Sequence, residues 1–162
     1  QGYSSAASDV YKRQALLREG RVDEGYSLLK LLNPAEKCAQ EAQAKRYLRE
    51  PYALAGDVST AKGIEGRGGW SLYTGAAGWY YRTVVEELLG IRLRSGALEL
   101  EPRLPSGWHG YSATLTLDGA VIAITVSDTA PQGLTVDGEQ AERFTPDGRE
   151  HRLVYGIGAS AS

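Results

Sequence analysis

Residues Gly63 to Gly75 are the part of this 162-residue chain whose types and spacing could do chemistry. Glycines let a backbone come close to a ligand and leave amide N–H groups free to point at an anion. Thr74 and Gly75 stand at the start of a helix expected over Ala76 to Leu89. Unpaired N–H groups and the helix dipole there both favour an anion such as phosphate. A threonine acting as N-cap accounts for the same pair. Trp70, Tyr73, Trp79 and Tyr80 bracket the turn. Aromatic faces are what sugar rings stack on, although such clusters more often belong to a core. An ordinary glycine-rich turn is the plain alternative for the whole stretch.

Three acids, Glu50, Asp57 and Glu65, flank this loop. Inverting cleavage of a glycoside needs one protonated acid on the leaving oxygen and a nucleophile on the opposite ring face. Nothing near Asp57 or Glu65 in the sequence raises a carboxyl pKa, so both read as solvated or helix-capping groups. His109 and His151 fall in a later part of the chain and read as structural. Cys38 has Lys37 beside it but no histidine, which argues against a nucleophile.

Composition excludes more than it selects. With 18 basic and 20 acidic residues the net charge is −2, too weak a field to favour nucleic acid or an anionic membrane. The single cysteine cannot form an internal disulfide, and no Cys/His cluster has metal-ligand spacing. No apolar run approaches the roughly 18 to 20 residues of a membrane helix, and the N-terminus lacks a signal-peptide core. The sequence has no Met, even at position 1, and is read as starting inside a longer frame. Residues 1–14 resemble translated sequencing read-through and are set aside from functional reasoning.

The elements that must position the loop change character near residue 90. Helix formers from Ala15 to Leu32, with a break near Gly20, predict a helix that Asn33-Pro34 ends. A second, polar helix is predicted over residues 35–48, then between Glu50 and Asp57 a turn followed by a short helical or irregular apolar piece, and a loop over 58–69. Gly90 closes the Ala76–Leu89 helix. Beyond it, Ile91–Arg94 and Leu98–Glu101 alternate apolar and charged residues about a Ser95-Gly96 turn. Residues 111–117 and 120–126 form a second hairpin about Asp118-Gly119. Short strands are predicted at Leu134–Gly138 and His151–Tyr155. The fold class expected is α+β with segregated segments.

The run Gly66-Arg67-Gly68-Gly69-Trp70, then Tyr73-Thr74-Gly75-Ala76-Ala77-Gly78-Trp79, resembles glycoside hydrolase family 94. So do Asn33-Pro34, the stretch Arg46 to Val58 containing Glu50-Pro51-Tyr52, Leu89-Gly90-Ile91 and Leu100 to Pro105. The form is closest to the C-terminal regions of cyclic β-1,2-glucan synthases and to β-1,2-oligoglucan phosphorylases. The resemblance implies the last helices of an (α/α)6 barrel over residues 15–90 and a small antiparallel β-sandwich over 91–162. It implies a parent enzyme that cleaves a β-glucan with inorganic phosphate as co-substrate and inverts the anomeric centre, with no metal or organic cofactor.

Carried over residue by residue, Thr74 and Gly75 match the family's phosphate-binding pair. Arg67 and Trp70 match positions lining the substrate cleft, and Glu50 and Tyr52 match an element near the acceptor sugar. The general-acid aspartate is expected upstream, so no catalytic residue is assigned and the chain alone is expected to be inactive. Glu101-Pro102-Arg103 departs from the Pro-Cys that the family often has there, a difference touching fold more than function. The partners implied are a β-glucan oligosaccharide and phosphate, not nucleic acid, with a homodimer allowed and no membrane contact from this segment. The location implied is cytoplasmic, associated with the inner membrane if the parent is a cyclic glucan synthase. A non-catalytic carbohydrate-binding module is the second reading, and an interaction domain without a small ligand the third.

Overall fold

Helix formers fill the first half of the chain and period-2 alternation the second, and the elements formed follow the same division. A computed structural model describes residues 3–72 and 74–158, with the backbone alone for 3–11 and 74. Contacts divide the chain into two units, Gln1–Val84 and Val85–Ser162.

In the first unit α1 (Ala6–Arg18) packs on α2 (Val22–Leu32) and on α5 (Thr74–Arg82), burying Leu17 and Leu29. Helix α1 begins within the stretch set aside at residues 1–14, and Arg13 and Gln14 are buried. Asn33 both ends α2 and caps the next helical turn: its N–H bonds Leu29 O at 3.2 Å, while its side-chain oxygen accepts from Ala35 N at 3.1 Å. The single helix expected over 35–48 is instead two, α3 (Pro34–Lys37) and α4 (Glu41–Tyr47). Cys38 leaves helical geometry at φ −110°, ψ 6° and its N–H closes back on Pro34 O, so the run stops after one turn. Part of the expected 58–69 loop is strand: β2 (Asp57–Ser59) pairs antiparallel with β1 (Tyr3–Ser5).

Helix α5 starts at Thr74, two residues earlier than expected, and gives way to a π-helical turn over Thr83–Leu88. The run Thr83-Val84-Val85 explains the change. β-Branched side chains crowd an α-helix, and the Thr83 hydroxyl donates to Trp79 O at 2.9 Å, drawing on a carbonyl of the helix ladder.

The second unit is built from hairpins. β3 (Ile91–Arg94) pairs with β4 (Ala97–Leu100), and β5 (Gly110–Leu117) with β6 (Ala120–Val136), which also pairs β7 (Glu139–Ala141). Ser95-Gly96, Asp118-Gly119 and Asp137-Gly138 all have positive φ at both positions, the geometry of two-residue turns that match strand twist. Sequence pattern alone reads the third of these turns as the end of a strand and does not show β7 after it. β8 (Glu150–Gly156) lies parallel to residues 121–127, so the sheet is mixed rather than purely antiparallel. The register then descends from Leu134↔Tyr155 to Val136↔Leu153, because β6 folds back over 128–133 and flanks β8 on its other side. Ala120, Ile122, Ile124 and Val126 face inward with Leu134 and Leu153, and Ile91, Leu98, Leu100 and Phe144 complete this core.

His151 fastens the turn after β6 to the loop before β8. Its Nδ1 is 2.7 Å from Asp137 Oδ2 and its Nε2 is 2.8 Å from Asp147 Oδ1. The Asp147 bond, then the Asp137 bond, raises the imidazole pKa above 6.5. Asp147 is held below the usual carboxylate range by Arg149 and then by His151, and Asp137 by the Arg152 N–H and then by His151. A raised histidine stabilises fully below its unfolded value and loses that contribution as pH rises through its folded value. The lowered aspartates lose theirs only as pH falls below 3.8. The cluster therefore contributes most from about pH 4 to about pH 6.5. Thermal melts should show stability falling from pH 6 to pH 8.5, with the slope reduced in His151→Gln.

Candidate functional site

The strap Gly66–Trp70 is tied along its length to backbone. Gly66 N–H donates to Ser59 O at 2.8 Å, Ser59 N–H to Arg67 O at 2.9 Å, Gly69 N–H to Asp57 O at 2.9 Å and Gly56 N–H to Trp70 O at 2.7 Å. Gly68 N–H turns the other way, to Tyr47 O at 2.9 Å. The glycine loop is thus a second partner for β2, with a bridge between Val58 and Gly68, rather than an open turn.

Two glycines have neighbouring side chains packed where a Cβ would stand. A Cβ at Gly69 would sit inside the Asp57 carboxylate, and one at Gly68 would meet the Arg49 side chain. Arg49 Nε donates to Gly69 O, and its Nη1 donates to Leu48 O at 2.7 Å. Tyr47, 3% exposed, is the post behind the strap; its hydroxyl accepts the Ala55 N–H at 3.3 Å. Burial raises the phenol's pKa, against the lowering effect of that N–H.

Trp70 is 73% exposed, so the ring expected to be core or sugar platform is not core. With Arg49, Asp57, Gly69 and Ser71 it lines an open hollow of about 530 Å³. Arg67 does not share that hollow. It lines another, of about 500 Å³, with Lys45, Arg46, Leu48, Gly63, Ile64 and Glu65. Glu65 there is exposed and accepts the Gly63 N–H at 2.8 Å, closing a turn rather than capping a helix.

Tyr52 is 80% exposed, and Glu50 is half-buried with Oε2 enclosed and lacking a hydrogen-bond partner. Gly75 is exposed at the first turn of α5, with open space where a Cβ would stand. Thr74 opens that helix; its side chain, and Tyr73, lie outside the described residues. Trp79 and Tyr80 are half-buried, and Tyr80 OH donates to Leu29 O at 3.3 Å. Cys38 Sγ contacts Arg49 O at 3.7 Å. Among the described residues no group of three or more His, Cys, Asp or Glu could hold a metal ion.

Sequence reasoning sets Asp57 aside and passes over Arg49. Their grouping with Trp70 depends on the strap folding back onto β2, which no linear spacing announces. The only sequence trace is the double glycine, Gly68-Gly69, which leaves the room that both side chains occupy.

Residues 2–90 match the family model described as the catalytic domain of the glycosyl hydrolase 94 superfamily, and residues 91–153 that of the glycosyl hydrolase family 65 C-terminal domain. The chain is 40% identical over 131 residues to the cyclic beta-(1,2)-glucan synthase NdvB of Rhizobium meliloti (strain 1021), covering 81% of this chain and 5% of that protein. It is 26% identical over 147 residues to the N,N'-diacetylchitobiose phosphorylase of Vibrio furnissii, covering 86% of this chain and 18% of the relative. Over 74 residues, 46% of this chain and 7% of the relative, it is 30% identical to the 1,2-beta-oligoglucan phosphorylase of Listeria innocua serovar 6a. The chain therefore spans a small part of the length of each of these relatives.

Proposed function

This chain belongs to the glycosyl hydrolase 94 superfamily, and on that premise we propose that it is part of an inverting, phosphate-dependent phosphorylase of β-1,2-linked glucan, or of the equivalent domain in a cyclic β-1,2-glucan synthase. In this reading α1 to α5 are closing helices of an (α/α)6 barrel and the β unit is its companion domain. Inorganic phosphate takes the place of the activated water of an inverting hydrolase, attacking the anomeric carbon from the face opposite the leaving oxygen. No metal or organic cofactor enters that chemistry. The protonated acid on the leaving oxygen comes from a residue outside this chain, so the chain alone turns over nothing.

The observation that carries the reading is the family match over residues 2–90, which takes in both the pinned strap ending at Trp70 and the start of α5. Thr74 and Gly75 supply backbone N–H groups to phosphate at the positive end of α5. Trp70 and Tyr52 offer exposed aromatic faces, Arg67 offers donors to the glucan, and Glu50 is placed on the acceptor side by the family motif and not by its enclosed Oε2. Among the described residues no helix is long and apolar enough to cross a membrane. This part of the parent works on the cytoplasmic side, beside the inner membrane if the parent is a synthase.

The test is an assay of the full-length parent with β-1,2-glucooligosaccharides, with and without inorganic phosphate. Release of sugar 1-phosphate should depend strictly on phosphate, and the product should carry the anomeric configuration opposite to the substrate linkage. Glycan binding without turnover would instead support a carbohydrate-binding module.

A further inference from the structure

The hollow beside Trp70 holds two charged groups that the strap brings together. Asp57 is half-buried against the Cα of Gly69, and its carboxylate has no hydrogen bond or ion pair among the described residues. Its backbone carbonyl is taken by the Gly69 N–H, so the side chain's place is set by the strap and not by a charge partner. Arg49, on the other side of Gly69, spends Nε and Nη1 on the carbonyls of Gly69 and Leu48. That locks the guanidinium while leaving Nη2 without an acceptor among the described residues. Ser71 and the 73%-exposed Trp70 complete the lining.

The chemistry of this set is that of a neutral polyol. A carboxylate with vacant lone pairs accepts two hydroxyl protons, a fixed guanidinium donates to a neighbouring oxygen, and an indole face covers the C–H side of a ring. An anion would meet Asp57 at close range, so phosphate is disfavoured in this hollow. Its volume of about 530 Å³ falls within the range of small-ligand clefts. A side chain at residue 69 would displace this carboxylate from the hollow.

We propose that Asp57 and Arg49 form a sugar-binding pair in the Trp70 hollow, Asp57 accepting two hydroxyls of one hexopyranose ring and Arg49 donating to it. This deepens the glucan reading above and rests on it for the identity of the sugar. Asp57→Asn keeps the shape and replaces one acceptor oxygen with a donor, so it mismatches the hydroxyls without filling the hollow.

The experiment measures kcat and KM of the full-length parent for β-1,2-glucooligosaccharide and for phosphate, in wild type, Asp57→Asn and Asp57→Ala, together with melting temperatures. The sugar KM should rise about 10- to 100-fold in both variants, with the phosphate KM unchanged and melting temperature kept. An unchanged sugar KM, or a fall in kcat alone, would overturn the assignment. So would a large loss of melting temperature in both variants, which would make Asp57 a scaffold residue. If the wild-type parent releases no sugar phosphate, the phosphorylase reading fails by itself, and the same proteins are compared by titration with the oligosaccharide. Binding lost in Asp57→Asn then supports the pair; equal binding, or none in wild type, overturns it.

Discussion

Glu87→Ala is expected to lower the stability of the β unit by about 3 kcal/mol, shifting the denaturant midpoint of the full chain with little change in slope. The Glu87 side chain is 2% exposed and sits 2.8 Å from Arg92, itself 11% exposed, with Arg103 at 3.7 Å. Truncation leaves two guanidinium groups beside an empty, desolvated space, and a buried charge stripped of its partner typically costs about 3–5 kcal/mol. The lower end applies because Arg92 keeps two acceptors, the Glu86 carbonyl at 2.9 Å and the Glu101 carboxylate. Glu87→Gln should cost less, since the amide still accepts from Arg92. Replacing Glu87 and Arg92 together with methionine should cost less than Glu87→Ala, because the most buried guanidinium leaves with its carboxylate, and Arg103, which loses that carboxylate, keeps Glu101 nearby. A Glu87→Ala protein as stable as wild type would show that water reaches Arg92.

How much of the molecule is legible in the sequence depends on the range of the interactions concerned. The helical-then-β order, the Ser95-Gly96 and Asp118-Gly119 hairpins and the inward set Ala120, Ile122, Ile124 and Val126 are legible, because turn chemistry and period-2 burial are encoded within a few residues. The break at Cys38 is not, since residues 35–48 are all acceptable in a helix and propensity alone does not place a stop. Nor is the fold-back of β6 around β8, which joins residues 121–127 and 134–136 to one strand from far along the chain. The same holds at the candidate site. The glycines announce a special backbone, but their reason, the carboxylate of Asp57 and the stem of Arg49 packed over Gly69 and Gly68, appears only when the strap pairs with β2. Family resemblance supplies roles for Thr74, Gly75, Arg67, Trp70, Glu50 and Tyr52; the structure adds that Arg67 and Trp70 line different hollows.

Gly75→Val in the full-length parent should reduce kcat/KM for phosphate by roughly 100-fold while leaving the sugar KM within a few-fold and the melting temperature unchanged or higher. Loss of one preorganised donor to an oxyanion costs about 100- to 1000-fold, and displacing the anion from a pair of N–H groups should fall in that range. The site makes the test clean. Gly75 lies in the first turn of α5, where N–H groups have no intrahelical acceptor, and a Cβ there meets nothing within 4 Å. Glycine inside a helix is disfavoured by about 1 kcal/mol relative to alanine, and valine also forms helix better than glycine, so the substitution is not expected to destabilise α5. In the phosphorylase reading the open space beside Gly75 is where an anion is seated on the helix end. If Gly75→Val leaves phosphate kinetics intact, Thr74-Gly75 is a helix start without a ligand, and phosphate must be held entirely by residues contributed from elsewhere in the parent.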